Sequence, residues 1–244
     1  MGKLEVFSLS EYDKDAFVAK YKPFYFIDGE TLDDEKTLLG TVLQHKTEKL
    51  VEAYADNVLD GRLFDKRLFL WKAGRLTANQ AELEDPNLIR QIKVVNGRGR
   101  EIENAEEFID AVRGKEVFSK GMAGFEADYR ELLKESKQKG LKNVGAVYLI
   151  TVLFFLSNRK YPIYDFFAHR AVKALYLGKN PTNVFVGAAP DKKEVDKVLA
   201  MYREYVYLLD QVFGYHNIER ELDRALWVYG HANQLRPKKD DKLV

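Results

Sequence analysis

Residues 126–177 read EADYRELLKESKQKGLKNVGAVYLITVLFFLSNRKYPIYDFFAHRAVKALYL, and the places where this stretch breaks decide the fold. Three helical patterns follow one another with two short interruptions. The first interruption, Gly140 to Gly145, reads GLKNVG. A helix running to Lys139 is stopped by Gly140, because the residue just past a helix C-terminus commonly takes a left-handed conformation that glycine adopts without penalty. The next helix starts at about Gly145. Between them Asn143 is one of the few non-glycine residues that tolerate the left-handed region, so the chain turns sharply there. Leu141 and Val144 are placed to plug the turn into a core, and the expected result is a tight helical hairpin.

Such a hairpin presents the backbone N–H groups of Val144, Gly145 and Ala146 at a helix N-terminus. The partial positive charge there favours an anion such as a DNA phosphate, and Lys137, Lys139 and Lys142 surround the point. The second interruption, SNRKYPIYD at residues 157–165, is fixed by Pro162, and a new helix starts between Ile163 and Asp165. Asp165 therefore falls in a first helical turn, where the dipole and the free N–H groups favour a carboxylate anion.

LKNVGAVYLITVLFFL followed by YPIYDFFAHRAV resembles the core of the helix-hairpin-helix base-excision DNA glycosylase superfamily, the group that includes 8-oxoguanine glycosylases. Its hairpin usually reads LPGVGxxxA and is followed by a proline-preceded aspartate that opens the next helix. On that pattern Leu141, Val144 and Gly145 match, Asn143 replaces a glycine and Lys142 a proline, and Asp165 falls at the catalytic aspartate. The resemblance implies a helix-hairpin-helix core over residues 120–180 and an all-α, glycosylase-like fold. It also implies DNA as partner, with Lys139, Lys142, Asn143, Val144, Gly145 and Ala146 at the backbone. Bifunctional members carry a nucleophilic lysine two residues after the second hairpin glycine, where this chain has Val147. Schiff-base chemistry needs an amine, so the activity implied is monofunctional hydrolysis of the N-glycosidic bond of a damaged base. The iron-sulfur cluster of some members is excluded by the absence of cysteine. Segments resembling LFLWKAGRL, FPIYDxxVxRA and ALWVYGH recur in uncharacterised bacterial relatives of the superfamily. Their counterparts here are Leu68 to Leu76, Tyr161 to Ala171 and Ala225 to His231.

With 244 residues, 46% of them hydrophobic and 32% charged, the chain is globular and long enough to bury a sizeable core. Its net charge of +1 does not by itself demand a nucleic-acid partner, so any DNA affinity must come from a local patch. With no cysteine, disulfides and thiolate metal sites are ruled out. The amino-terminal MGKLEVFSLSEYDKDAF lacks the apolar run of a secretory signal, and the longest apolar stretch, Val144 to Leu156, is too short to span a bilayer. The expectation is a cytoplasmic monomer without membrane contact, whose residues 1–244 form one mostly helical unit.

Along the chain, Glu11 to Lys20 reads as a helix, while Val6, Phe7 and Phe24 to Ile27 read as short strands or extended segments. Leu32 to Asp60 keeps helical spacing throughout and reads as one long helix or two. RLFDKRLFLWKAGRL, residues 62–76, predicts a helix ended by Gly74, with Lys72 and Arg75 either facing a phosphate or nucleobase or capping the helix's own carboxyl end. A short helix over Asp85 to Gln91 leads to a turn at NGRG, which makes Arg98 and Arg100 either phosphate contacts or solvated side chains. Any further strands fall in Ile92 to Ile102. Asn104 to Arg113 is a helix with Asn104 as N-cap, and GKNPTNVFVGAAP is a long loop. Helices over Asp191 to Phe213 and Asn217 to Tyr229 follow, the second ended by Gly230. No internal repeat appears.

An aspartate at a helix start is also an ordinary cap, and that reading of Asp165 stands beside the catalytic one. If Asp165 is catalytic, it stabilises oxocarbenium character at the sugar of an extruded nucleotide and orients the attacking water. His169, one turn on, either orients that carboxylate or contacts a phosphate, or makes a local structural hydrogen bond. Tyr164, the best stacking candidate, joins His169 and Val147 as a candidate base pocket, and Asp223 is an alternative acid. His45, His216 and His231 show no metal-ligand spacing, so neither a metal nor another cofactor is expected. The alternative to the glycosylase is a non-catalytic DNA-binding or protein-interaction module on the same fold.

Overall fold

The structure, a computed structural model, describes residues 14–22, 64–113, 121–157, 160–214 and 220–232. Among these residues 65% are helical and none lies in a strand, so the chain is mostly helical, as its periodicity predicts. The helices are α1 (Lys14–Tyr21), α2 (Arg67–Lys72), α3 (Ala78–Ala81), α4 (Pro86–Gln91), α5 (Ala105–Val112), α6 (Gly121–Gln138), α7 (Ala146–Leu156), α8 (Phe166–Tyr176), α9 (Val195–Phe213) and α10 (Arg220–Ala232), with a 3-10 turn at Pro181–Asn183. The strands or extended segments expected at Val6, Phe7 and Phe24 to Ile27 and the one or two helices expected from Leu32 to Asp60 lie outside the described residues. In Ile92 to Ile102 the only β pairing described is one antiparallel bridge, Val95 to Glu101.

Its contacts group into two compact units. One compact unit holds His45–Tyr164 and Ala189–Arg203; the other holds Met1–Gln44, Asp165–Ala188 and Glu204–Val244.

In the first unit α7 is apolar on almost every face, so it must be covered all round. Leu149, Ile150, Val152, Leu153 and Phe154 are accordingly buried. Helices α2 and α6 pack on it, with the Trp71 ring edge-on to Phe155 at 5.5 Å. The α5 stripe of Ala105, Phe108, Ile109 and Val112 follows the i, i+3, i+4, i+7 spacing of an amphipathic helix, and α5 packs on α6. Tyr202 stacks on Phe125 with centroids 3.8 Å apart and donates its hydroxyl to the Pro162 carbonyl at 2.7 Å, while Tyr161 donates to Asp128 at 2.6 Å. These two bonds fix the proline break where the sequence interrupts the helices. Burial of each such ring contributes about 1.5–3 kcal/mol.

Helix α2 is shorter than the stretch 62–76 predicts. Gly74, at φ 64°, terminates it, with Arg75 N–H donating to the Leu70 carbonyl at 2.9 Å in the closing turn. Arg67, only 1% exposed, clamps Asp65 through Nε and a terminal nitrogen and donates to the carbonyls of Gln80, Ala81 and Leu83, which close α3. A buried guanidinium is tolerated because every side of it meets an acceptor. Asp85 caps α4 by accepting from Asn87 N–H at 2.8 Å. Asn104 precedes α5 but does not cap it. Its backbone is left-handed at φ 58°, no side-chain cap bond forms, and its amide donates instead to the Gly140 carbonyl at 3.0 Å.

In the second unit α8 and α10 pack against each other, and α1 packs on α10 through Phe17 and Tyr21, whose rings lie 5.7 and 5.0 Å from Tyr229. Gly230 does not end α10, which continues to Ala232. Its missing side chain serves packing: a Cβ there would lie 2.2 Å from the Phe167 carbonyl oxygen, so glycine lets the α8 backbone come this close. Helix α9 starts later than Asp191. Residues 191–194 form a turn in which Asp191 accepts from Lys193 N–H at 2.9 Å and donates its own N–H to Glu194 at 3.1 Å.

Candidate functional site

The turn between α6 and α7 takes the conformation that its glycine and asparagine require: Gly140 at φ 67° and Asn143 at φ 62°. Leu141 and Val144 are 4% and 7% exposed, so they anchor the turn in the core, and Gly145, extended at φ −93° and ψ 179°, is the residue before α7. The N–H groups of Val144 to Val147 donate to no acceptor among the described residues. A Cβ on Gly145 would meet nothing within 4 Å, so the entrance of α7 is open.

The hairpin is braced from several sides, and this the local sequence does not announce. Asn96 donates its side-chain amide to the Asn143 carbonyl at 2.9 Å, and Asn143 donates its own to the Glu101 carbonyl at 2.6 Å. Lys142 N–H reaches the Glu103 carbonyl at 3.3 Å. From the core side Lys192, 8% exposed, donates Nζ to the Leu141 carbonyl at 2.8 Å, and burial pushes its pKa down. Tyr148, on the first turn of α7, accepts from Gly97 N–H at 3.0 Å. The platform is thus cross-linked to the NGRG turn and to the residues before α9.

The lysines expected at the hairpin are not equivalent. Lys142 is paired with Glu103 at 2.6 Å, whereas Lys137 and Lys139 are exposed and pair with no carboxylate among the described residues. Lys72 and Arg75 are anchors: Lys72 donates to the Tyr164 carbonyl at 3.0 Å and Arg75 to the Gly97 carbonyl at 3.0 Å.

Asp165 precedes α8 in extended conformation, and its Oδ1 accepts from Phe167 N–H at 2.8 Å. The side chain is half-buried and caps the helix. His231 feels its charge. The His231 ring lies 3.4 Å from the Phe167 centroid and 3.7 Å from that of Trp227, and its Nδ1 is 2.9 Å from the Trp227 carbonyl. Burial lowers the His231 pKa, the Trp227 carbonyl and the Asp165 carboxylate pull it back up, and Arg170 opposes them. A carbonyl accepts only from N–H, so Nδ1 carries the proton and Nε2 holds the lone pair in the neutral ring.

His169 is placed otherwise than as a phosphate contact. It is 1% exposed, with Nε2 3.7 Å from Glu204 and its ring 5.5 Å from that of Tyr205. Burial lowers its pKa to about 4 against the pull of Glu204. Tyr164 is fully buried and so offers no stacking face in this conformation; Val147 is half-buried. Asp223 is 4% exposed, within the core side of α10 rather than on a solvated face. Phe185 was not singled out by the sequence: it is 85% exposed between Val184 and Val186, each 7% exposed. Alternation in NVFVG is the signal that would have placed it outward.

Among the described residues no group of three histidine, cysteine or acidic side chains is arranged to hold a metal ion, and no helix is long and apolar enough to cross a membrane. The chain matches no family model, no curated protein and no solved structure.

Proposed function

We propose that this protein is a DNA-repair glycosylase-like N-glycosyl hydrolase of monofunctional type, acting through Asp165 on a damaged base. The observation that carries the reading is the α6–α7 hairpin, with left-handed Gly140 and Asn143, open amides at the start of α7, and a proline break leading to an aspartate at the start of α8. A carboxylate at a helix start can stabilise the cationic sugar that forms as the base leaves, and can orient the water that replaces it. Val147 supplies no amine, so no covalent sugar adduct forms and the strand is left intact at the abasic site. His231, with Nε2 as acceptor, is a second proton acceptor in the neighbourhood of Asp165.

The test is a panel of duplexes carrying single damaged bases, incubated with the wild-type protein and with Asp165→Asn. Base release by the wild type, strand breakage only after alkali, and loss of release in the variant are expected. A complex trapped by borohydride, or full release by Asp165→Asn, defeats the mechanism. A second reading, a DNA-binding module without catalysis, is favoured by the complete burial of Tyr164 and the near-complete burial of His169, which removes two of the three residues expected to line a base pocket. DNA binding without release of any base in the panel selects it.

A further inference from the structure

We propose that the Asn96–Arg100 turn is a two-arginine grip for the phosphate backbone of duplex DNA, welded to the hairpin so that turn and hairpin form one binding surface; this rests on the DNA-binding part of the function proposed above. The turn is built to hold one shape. Asn96 accepts from Arg98 N–H at 2.9 Å and Arg100 N–H at 3.1 Å through its side chain, Gly99 N–H returns to the Asn96 carbonyl at 2.8 Å, and Gly99 takes φ 76°. Asn96 N–H closes on the Arg100 carbonyl at 2.8 Å.

That shape is then fixed against the hairpin. The bonds from Asn96 to Asn143, from Asn143 to Glu101 and from Gly97 to Tyr148 join the two loops, and Arg75 holds the Gly97 carbonyl. These long-range bonds hold the turn in one position against the hairpin.

Charge decides what the surface attracts. The carboxylates of this region are already spent: Glu101 pairs with Lys93 at 2.7 Å and Glu103 with Lys142 at 2.6 Å. Arg98 and Arg100 are exposed, and their guanidinium groups bond to no acceptor among the described residues. The turn therefore offers two unneutralised guanidinium groups on a rigid base beside the open start of α7, flanked by the unpaired Lys139. A guanidinium fork matches phosphate oxygens in pairs, and glycines on both sides of Arg98 let a backbone approach without side-chain obstruction.

Fluorescence anisotropy with a labelled undamaged duplex, read over a salt series, tests the proposal. The variants are Arg98→Gln/Arg100→Gln and its charge-keeping counterpart Arg98→Lys/Arg100→Lys. The glutamine pair is expected to weaken binding about 10- to 100-fold at low salt and to reduce the salt slope by about two. The lysine pair restores the slope but only part of the affinity. Neither guanidinium meets a partner among the described residues, and the backbone bonds of both residues survive the substitution, so the melting temperature of the glutamine pair should match the wild type. Wild-type affinity and slope in the glutamine pair overturn the grip while leaving the hairpin as the DNA contact; absence of salt-dependent binding by the wild type overturns both; tighter binding to duplex RNA than to DNA overturns the choice of partner.

Discussion

Gly230 shows how much one missing methyl group can decide. Substitution by alanine puts a carbon 2.2 Å from the Phe167 carbonyl, and because the obstacle is backbone rather than a flexible side chain, α8 and α10 must separate. Overpacking of this kind costs about 1–3 kcal/mol, so Gly230→Ala should unfold at clearly lower urea concentration, whereas alanine's better helix propensity alone would stabilise it by about 1 kcal/mol. A midpoint equal to or above wild type would show that the helices do not pack this closely. His169 carries a pH-dependent counterpart. Its folded pKa is about 4 against an ordinary 6.5, with Glu204 raising it and Lys173 lowering it. Above the unfolded value both states are neutral and nothing is lost. As pH falls from 6.5 towards 4 the unfolded chain takes up a proton that the native ring refuses, and about 3 kcal/mol of stability is lost across that window. His169→Gln should therefore flatten the acid limb of stability against pH relative to wild type, with the buried His231 still contributing in the same direction. An unchanged acid limb would mean that the native ring titrates normally.

The hairpin is the element in which sequence and structure coincide most closely, because its determinants are local. Positive φ is written into the residue types at Gly140 and Asn143, and an apolar run without a polar face fixes α7 as buried. What holds the hairpin is not local. Asn96 lies 47 residues from Asn143 and Glu103 lies 39 from Lys142, so no periodicity or spacing reveals those bonds. The same reason explains Gly230, whose neighbour is Phe167 rather than anything nearby in sequence, and Tyr164, whose burial depends on partners brought by other helices. Asn104 misleads differently: a good capping residue was recruited by Gly140 across space instead of by its own helix. Two substitutions separate the contributions at Asn143. Asn143→Gly keeps left-handed geometry and loses the bond to Glu101, costing about 1 kcal/mol; Asn143→Ala loses the bond and adds about 1–2 kcal/mol of backbone strain. Chemical denaturation should rank them wild type, glycine, alanine, and equal stability of the two variants would mean that the turn relaxes to negative φ.

At the scale of the whole molecule the charge balance sets what kind of DNA binding is physically available. With 39 basic and 38 acidic residues the chain has no long-range field to draw it to a polyanion, so affinity must come from the few cations that no carboxylate neutralises. Around the hairpin these are Lys137, Lys139, Arg98 and Arg100, while Lys93 and Lys142 are paired. If each of the four releases one condensed counterion, the logarithm of the duplex binding constant should fall against the logarithm of salt with a slope of about −3 to −4. Lys137→Gln with Lys139→Gln should make the slope shallower by about two, because these side chains meet no competing carboxylate. Adding Lys142→Gln should change it little, since removing that cation also frees Glu103, and the local balance shifts by repulsion rather than by a lost phosphate contact. Titration of a labelled duplex at several salt concentrations measures all three slopes. A slope near zero for the wild type would leave the hairpin as a structural turn with no polyelectrolyte partner, and a steep slope unchanged by the double lysine variant would move the contact to another face of the protein.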